Sequence, residues 1–150
     1  MRDMISNMQL VRGALQTLSG TTPSASALID RRDFSSLTVY LETNTVTDAG
    51  DATGFTMKLQ HSDTVVGTSF VDVPDLELMP NSSGGRTVTV TADTNDDVLV
   101  NGVGYLGSKR YVRAVCTGST GTNAIVQILA VLAKPHRAPT ATVGATVAST

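Results

Sequence analysis

Apolar and polar residues alternate through most of the middle of the chain. From Ser35 onward, Leu37, Val39 and Leu41 stand between Ser36, Thr38, Tyr40 and Glu42, the period-two pattern of a strand with one buried face. Asn44 to Gly54 (NTVTDAGDATG) is polar and reads as a loop. Phe55, Met57 and Leu59 then alternate with Thr56, Lys58 and Gln60 to predict a second strand. A third is expected over Thr68 to Val73, followed by a loop with Pro74, Pro80 and Asn81 to Gly85. Thr87 to Ala92 (TVTVTA) alternates strictly until the polar Asp93 to Asp97 ends it, and Val98 to Val100 runs into glycines at 102, 104 and 107. Arg110 to Thr117 and Ala124 to Lys134 predict the last two strands, around a Gly/Ser/Thr turn at Gly118 to Thr122. Roughly seven short strands at this spacing bury their alternating faces most simply as an all-β, antiparallel β-sandwich of jelly-roll-like form.

The two ends read differently. Met4, Ile5, Met8, Val11, Leu15 and Leu18 have a spacing compatible with a helical stripe, but Gly13 interrupts it. The segment is either a short helix or an extended arm, and the β-rich remainder favours the arm. Gly20 to Ala27 is a Gly, Thr, Pro, Ser and Ala connector. Pro135 to Thr150 carries no charge after Arg137 and is too weakly apolar for a core of its own, so it is disordered or ordered by a partner. The expected division is an N-terminal arm and connector at 1–27, a β-sandwich domain at 28–134 and a C-terminal tail at 135–150.

Composition narrows the function classes. At 150 residues and 41% apolar content, the chain is the size of one ordinary domain with material for a core. Charged residues are 16% and the net charge is −2, so no cationic field is present to neutralise phosphates and no nucleic-acid partner is expected. The longest apolar run, Ile128 to Ala133, is far short of the roughly 20 residues of a membrane-spanning helix. No membrane partner is expected, and the mixed polarity of the first 18 residues does not suit a signal peptide. Cys116 is the single cysteine, which rules out an intramolecular disulfide and suits a reducing cytoplasm.

Candidate chemistry is sparse. Gly102-Val103-Gly104-Tyr105-Leu106-Gly107 fits G-x-G-x-x-G by letter, but a strand rather than a helix follows, and Cys116 to Ala133 holds no acidic residue for a ribose. A Gly-rich turn or bulge between strands is expected there. Asp93, Asn95 and Asp97 sit at positions one, three and five of a calcium loop, but Val98 and Gly104 replace its glycine and its bidentate Glu, which leaves an Asx-rich solvent turn or, as the lesser alternative, a weak adventitious cation site. His61-Ser62-Asp63 cannot form a relay, because consecutive strand residues face opposite ways. His61 is expected to make a local hydrogen bond at a turn begun by Ser62 and Asp63. Two distant histidines and one cysteine supply no zinc spacing. Cys116 alternates with Val112 and Ala114 and reads as an inert core thiol. No enzyme activity, catalytic residue, metal or cofactor is expected. Lys109, Arg110 and Arg113 form the densest basic patch, either a solvated strand start or a contact with acidic groups of a neighbouring subunit.

The succession Leu59-Gln60-His61-Ser62-Asp63, Phe70-Val71-Asp72-Val73, Gly104-Tyr105-Leu106-Gly107-Ser108-Lys109-Arg110-Tyr111-Val112-Arg113, and an apolar strand ending in Lys134-Pro135 resembles small head-associated structural proteins of tailed bacteriophages and prophages. The resemblance covers about residues 28 to 139, and G-Y-x-G-x-K-R-Y-V-R is its most distinctive element. It implies a capsid cement or decoration protein: a non-enzymatic β-module on the capsid exterior, bound to the major capsid protein as homotrimers at local three-fold positions. A head-completion, connector or tail component of the same virion stays open, as does a carbohydrate-binding β-sandwich. The partner-contact residues this reading selects are Met4, Ile5, Met8 and Leu10 of the arm, Lys109, Arg110 and Arg113 of the basic patch, and Pro135, His136, Arg137 and Pro139 of the tail.

Overall fold

The computed structural model describes residues 7–136, which fold into strands with two single-turn 3-10 segments between them. In chain order the strands are β1 (Met8–Arg12), β2 (Gln16–Ser19), β3 (Ser24–Ala25), β4 (Ile29–Asp30), β5 (Phe34–Asp48), β6 (Phe55–Ser62), β7 (Val71–Asp72), β8 (Leu78–Met79), β9 (Val88–Val90), β10 (Leu99–Tyr105), β11 (Tyr111–Thr117) and β12 (Asn123–Pro135). They form two antiparallel sheets. The first runs β1-β12-β5-β10-β8, with β2 also on β12. The second runs β3-β11-β6-β7, with β4 on β11 and β9 on β6.

The period-two pattern sets the inner faces. Leu37, Val39 and Leu41 of β5, Val103 and Tyr105 of β10, and alternate residues of β12 from Ala124 to Leu132 are buried in one core with Phe55, Met57 and Leu59 of β6 and Val112, Ala114 and Cys116 of β11. Each large side chain removed from water there contributes about 1.5 to 3 kcal/mol. The expected antiparallel β-sandwich is what the chain forms.

Several boundaries differ from the sequence reading, each for a local reason. β5 does not stop before Asn44 but continues to Asp48, because it pairs with β12 from Thr43↔Val126 to Asp48↔Asn123 on one side while side chains take over backbone groups on the other. Asp96 Oδ1 accepts from Val46 N–H at 2.5 Å, Asp93 Oδ1 accepts from Ala49 N–H at 2.8 Å, and the Thr43 hydroxyl donates to Asn95 O and Val98 O. The acidic run is therefore a latch on β5 and not simply a solvent turn. Gly102 and Gly104 lie inside β10, not in a turn, and the third strand shrinks to Val71–Asp72 behind a 3-10 turn at Gly67–Ser69.

The described part of the N-terminal segment is neither helix nor free arm. β1 pairs with β12 from Met8↔Ala133 to Arg12↔Leu129, and β2 from Gln16↔Val126 to Ser19↔Asn123. Val11 and Leu18 enter the core. The segment thus completes a sheet edge, so removing it would strip core as well as arm.

Candidate interaction surfaces

The distinctive stretch 104–113 carries the chain from β10 in one sheet to β11 in the other. Its polar side chains are tied down at this crossing. Tyr105 is buried, its hydroxyl accepts from Lys109 N–H at 3.0 Å and shares a 2.8 Å hydrogen bond with His61 Nδ1, and the two rings meet edge to face. His61 is buried, and its bond is to a residue 44 positions away instead of a local one. Glu77 Oε2 lies 3.5 Å from His61 Nδ1. The Arg31 guanidinium stands 5.1 Å from the Tyr105 ring centre and donates to Gly107 O. Burial pushes the Tyr105 phenol above its ordinary value.

The basic patch is partnered within the chain. Lys109 Nζ lies 2.5 Å from Asp63 Oδ2. Arg110 meets Asp30 two-pronged, Nε to Oδ1 at 3.0 Å and Nη2 to Oδ2 at 2.6 Å, the fork geometry that guanidinium and carboxylate share. Those hydrogen bonds hold the Asp30 and Asp63 carboxyls below their usual range against the opposing effect of burial. Arg113 donates to Gln60 Oε1 from Nε and Nη2 at 3.0 and 2.8 Å and stacks 4.4 Å from the Phe70 ring centre. All three residues tie β11 and its entry to neighbouring segments of the same chain, so the strand start is not merely solvated.

The selected contact residues do not converge. Met8 and Leu10 lie on the outer face of the first sheet, opposite Ala133 and Val131. Lys109, Arg110 and Arg113 belong to the crossing and the second sheet. Pro135 pairs with Phe34, while His136 donates its N–H to Asp33 O and shares a 3.1 Å hydrogen bond with Ser35 Oγ. Met4, Ile5, Arg137 and Pro139 lie outside the described residues.

A surface missed by the sequence reading adjoins Met8 and Leu10. Aligned across β1, β12, β5 and β10, one outward row is Leu10, Val131, Thr38 and Gly104, and the next is Arg12, Leu129, Tyr40 and Gly102. Leu10, Leu129 and Val131 are half-buried ridge residues. Beyond them the two glycines open a trough of about 420 Å³, walled by Tyr40, Met79 and Ser82. The signal was in β12 itself: AIVQILAVLAK does not alternate, and a strand apolar on both faces has both faces covered in most proteins.

Cys116 is fully buried on β11, and desolvation pushes its thiol from 9.0 up to about 12. The unfolded thiol ionises first as pH rises, so the native state holds the extra proton and loses stability through that window. We expect unfolding free energy to fall from pH 9 toward 12, by at most about 1.4 kcal/mol per pH unit from this group. Cys116→Ala is expected to flatten that part of the alkaline limb in urea titrations; an unchanged slope would refute the assignment. Among the described residues no group of three His, Cys, Asp or Glu is placed to hold a metal ion.

The class defined by these observations is an antiparallel two-sheet β-sandwich with a polar inter-sheet crossing and an apolar ridge on the outer face of one sheet. No protein-family model matches the chain, and no curated protein matches it. Among solved structures it is similar to the SPBc2 prophage-derived protein YomS, at 12% identity and a TM-score of 0.49, over 87% of this chain and 98% of that one.

Proposed function

We propose that this chain is a non-enzymatic structural protein of a tailed-phage virion, a decoration module that binds the assembled shell of major capsid protein and reinforces it as trimers at local three-fold positions. The observation that carries the reading is the Gly104–Arg113 stretch, the part that most resembles phage head-associated proteins. Its Tyr, Lys and Arg positions are used at the crossing between sheets, through Tyr105, Lys109 and Arg110. The residues best suited to chemistry are engaged in the fold: Cys116 is buried and His61 is bonded to Tyr105. A shell displays many equivalent sites, so an oligomeric module with weak individual contacts is retained strongly once several are engaged together.

Copy number tests this. In purified particles, quantitative mass spectrometry against the major capsid protein is expected to give about one copy per shell subunit, the stoichiometry of a lattice-wide module. A ring-like complement of a dozen or so copies would move the protein to the portal or tail, and absence from particles would overturn the virion reading.

A further inference from the structure

We propose that the outer face of the first sheet is a self-association surface whose occupant is a second copy of this chain. An antiparallel sheet with one face toward water alternates apolar and polar residues, and β5 does so, with Ser36, Thr38, Tyr40 and Glu42 outward. β12 does not, since its outward set includes Ile125, Leu129, Val131 and Ala133. β1 adds Met8 and Leu10 to the same side. The result is an apolar ridge over β1 and β12 beside a trough over β10.

The trough is built by the backbone's own constraints. A Cβ at Gly102 would stand 2.5 Å from the Tyr40 ring, and one at Gly104 would stand 2.8 Å from Met79 Cβ. β10 therefore adds no side chain of its own at these two positions, where the Tyr40 ring and Met79 lean over the backbone, while the ridge two strands away carries Leu129 and Val131. Ridge and trough share one face of one chain, so a neighbouring copy supplies the complementary half.

Charge favours a copy over a charged partner. Arg12 and Glu42 on this face pair with each other at 3.0 Å, so two such faces meet without stacking like charges. The size also fits. Four strands at about 4.8 Å spacing, over ~30 Å of β12 from Ile125 to Ala133, give a footprint of about 600 Å², the lower bound for one side of a standard interface.

The surface rests on the self-association that the decoration reading includes, but particle copy number tests that reading, whereas the comparison of face variants in solution tests the surface alone. Light scattering on the full chain is expected to give at least twice the 15.6 kDa of one chain. Leu129→Arg should bring the mass to one chain while the circular dichroism spectrum is retained, because the new charge is solvated in the free monomer. Val71→Arg, at an exposed position of the second sheet, should leave the oligomer intact. Should Leu129→Arg fail to fold, Thr38→Arg on the trough side decides in its place. A monomeric wild type, a folded face variant that keeps the wild-type mass, or dissociation by Val71→Arg to the same extent would each overturn the assignment.

Discussion

Gly54→Ala is expected to lower the unfolding free energy by about 2 to 5 kcal/mol, from a left-handed backbone worth about 1 to 2 and an overlap worth about 1 to 3. Gly54 has φ +67°, and a Cβ there would meet the Val90 carbonyl oxygen at 1.9 Å, a contact with backbone rather than a movable side chain. Its N–H closes the turn on Asp51 O, and the next residue, Phe55, is fully buried and pairs with Val90. Relieving the clash therefore separates β6 from β9 where the core is closed. Gly84→Ala provides the comparison, because Gly84 has φ +81° with nothing within 4 Å of its Cβ position. That variant should lose only the backbone contribution, about 1 to 2 kcal/mol. Equal urea midpoints for the two variants would show that the close approach of Gly54 to Val90 does not hold in solution.

The contrast between these glycines illustrates what the sequence made legible. Strict alternation at 37–41 and 55–59 specified inner faces, because a one-residue slip would have turned every apolar side chain to water. The end of β5 was illegible for the opposite reason. Its polar residues read as loop, and what keeps it in place is β12 on one side and, on the other, Asp96 and Asp93, which hold Val46 and Ala49 from some 50 and 44 positions away. Gly102 and Gly104 were likewise misplaced, since a glycine in a strand is explained only by its neighbours, here Tyr40 and Met79. For the contact residues, Met8 and Leu10 were visible as apolar positions, but their company was not. That depends on the pairing of β1 with β12, which composition does not encode. The basic patch was legible as residues and illegible as geometry: Asp30 and Gln60 lie 80 and 53 positions from Arg110 and Arg113.

Tyr105→Phe is expected to cost about 2 to 6 kcal/mol, because it leaves two groups without their partner and each such group is worth about 1 to 3. The groups are His61 Nδ1 and the Lys109 N–H, both held by the phenol oxygen at the sheet crossing. With Lys109 donating to that oxygen, the phenol proton is available to His61, so one hydroxyl joins β6, β10 and the entry to β11. Tyr105→Ala should cost more, adding the loss of a buried aromatic, about 3 to 5 kcal/mol. The phenylalanine variant also carries a pH signature. Burial holds the folded phenol above its ordinary value, so above about pH 10 the unfolded chain releases this proton first and native stability falls. Lys109, raised by its bond to Asp63, acts in the same direction. Removing the hydroxyl should therefore lower stability at neutral pH yet shrink its decline above pH 10, a combination that loss of packing alone does not produce. Parallel urea titrations of wild type and Tyr105→Phe across pH 7 to 11 measure both. A uniform offset at every pH would leave the hydroxyl a packing role and remove the three-strand junction from the account of the fold.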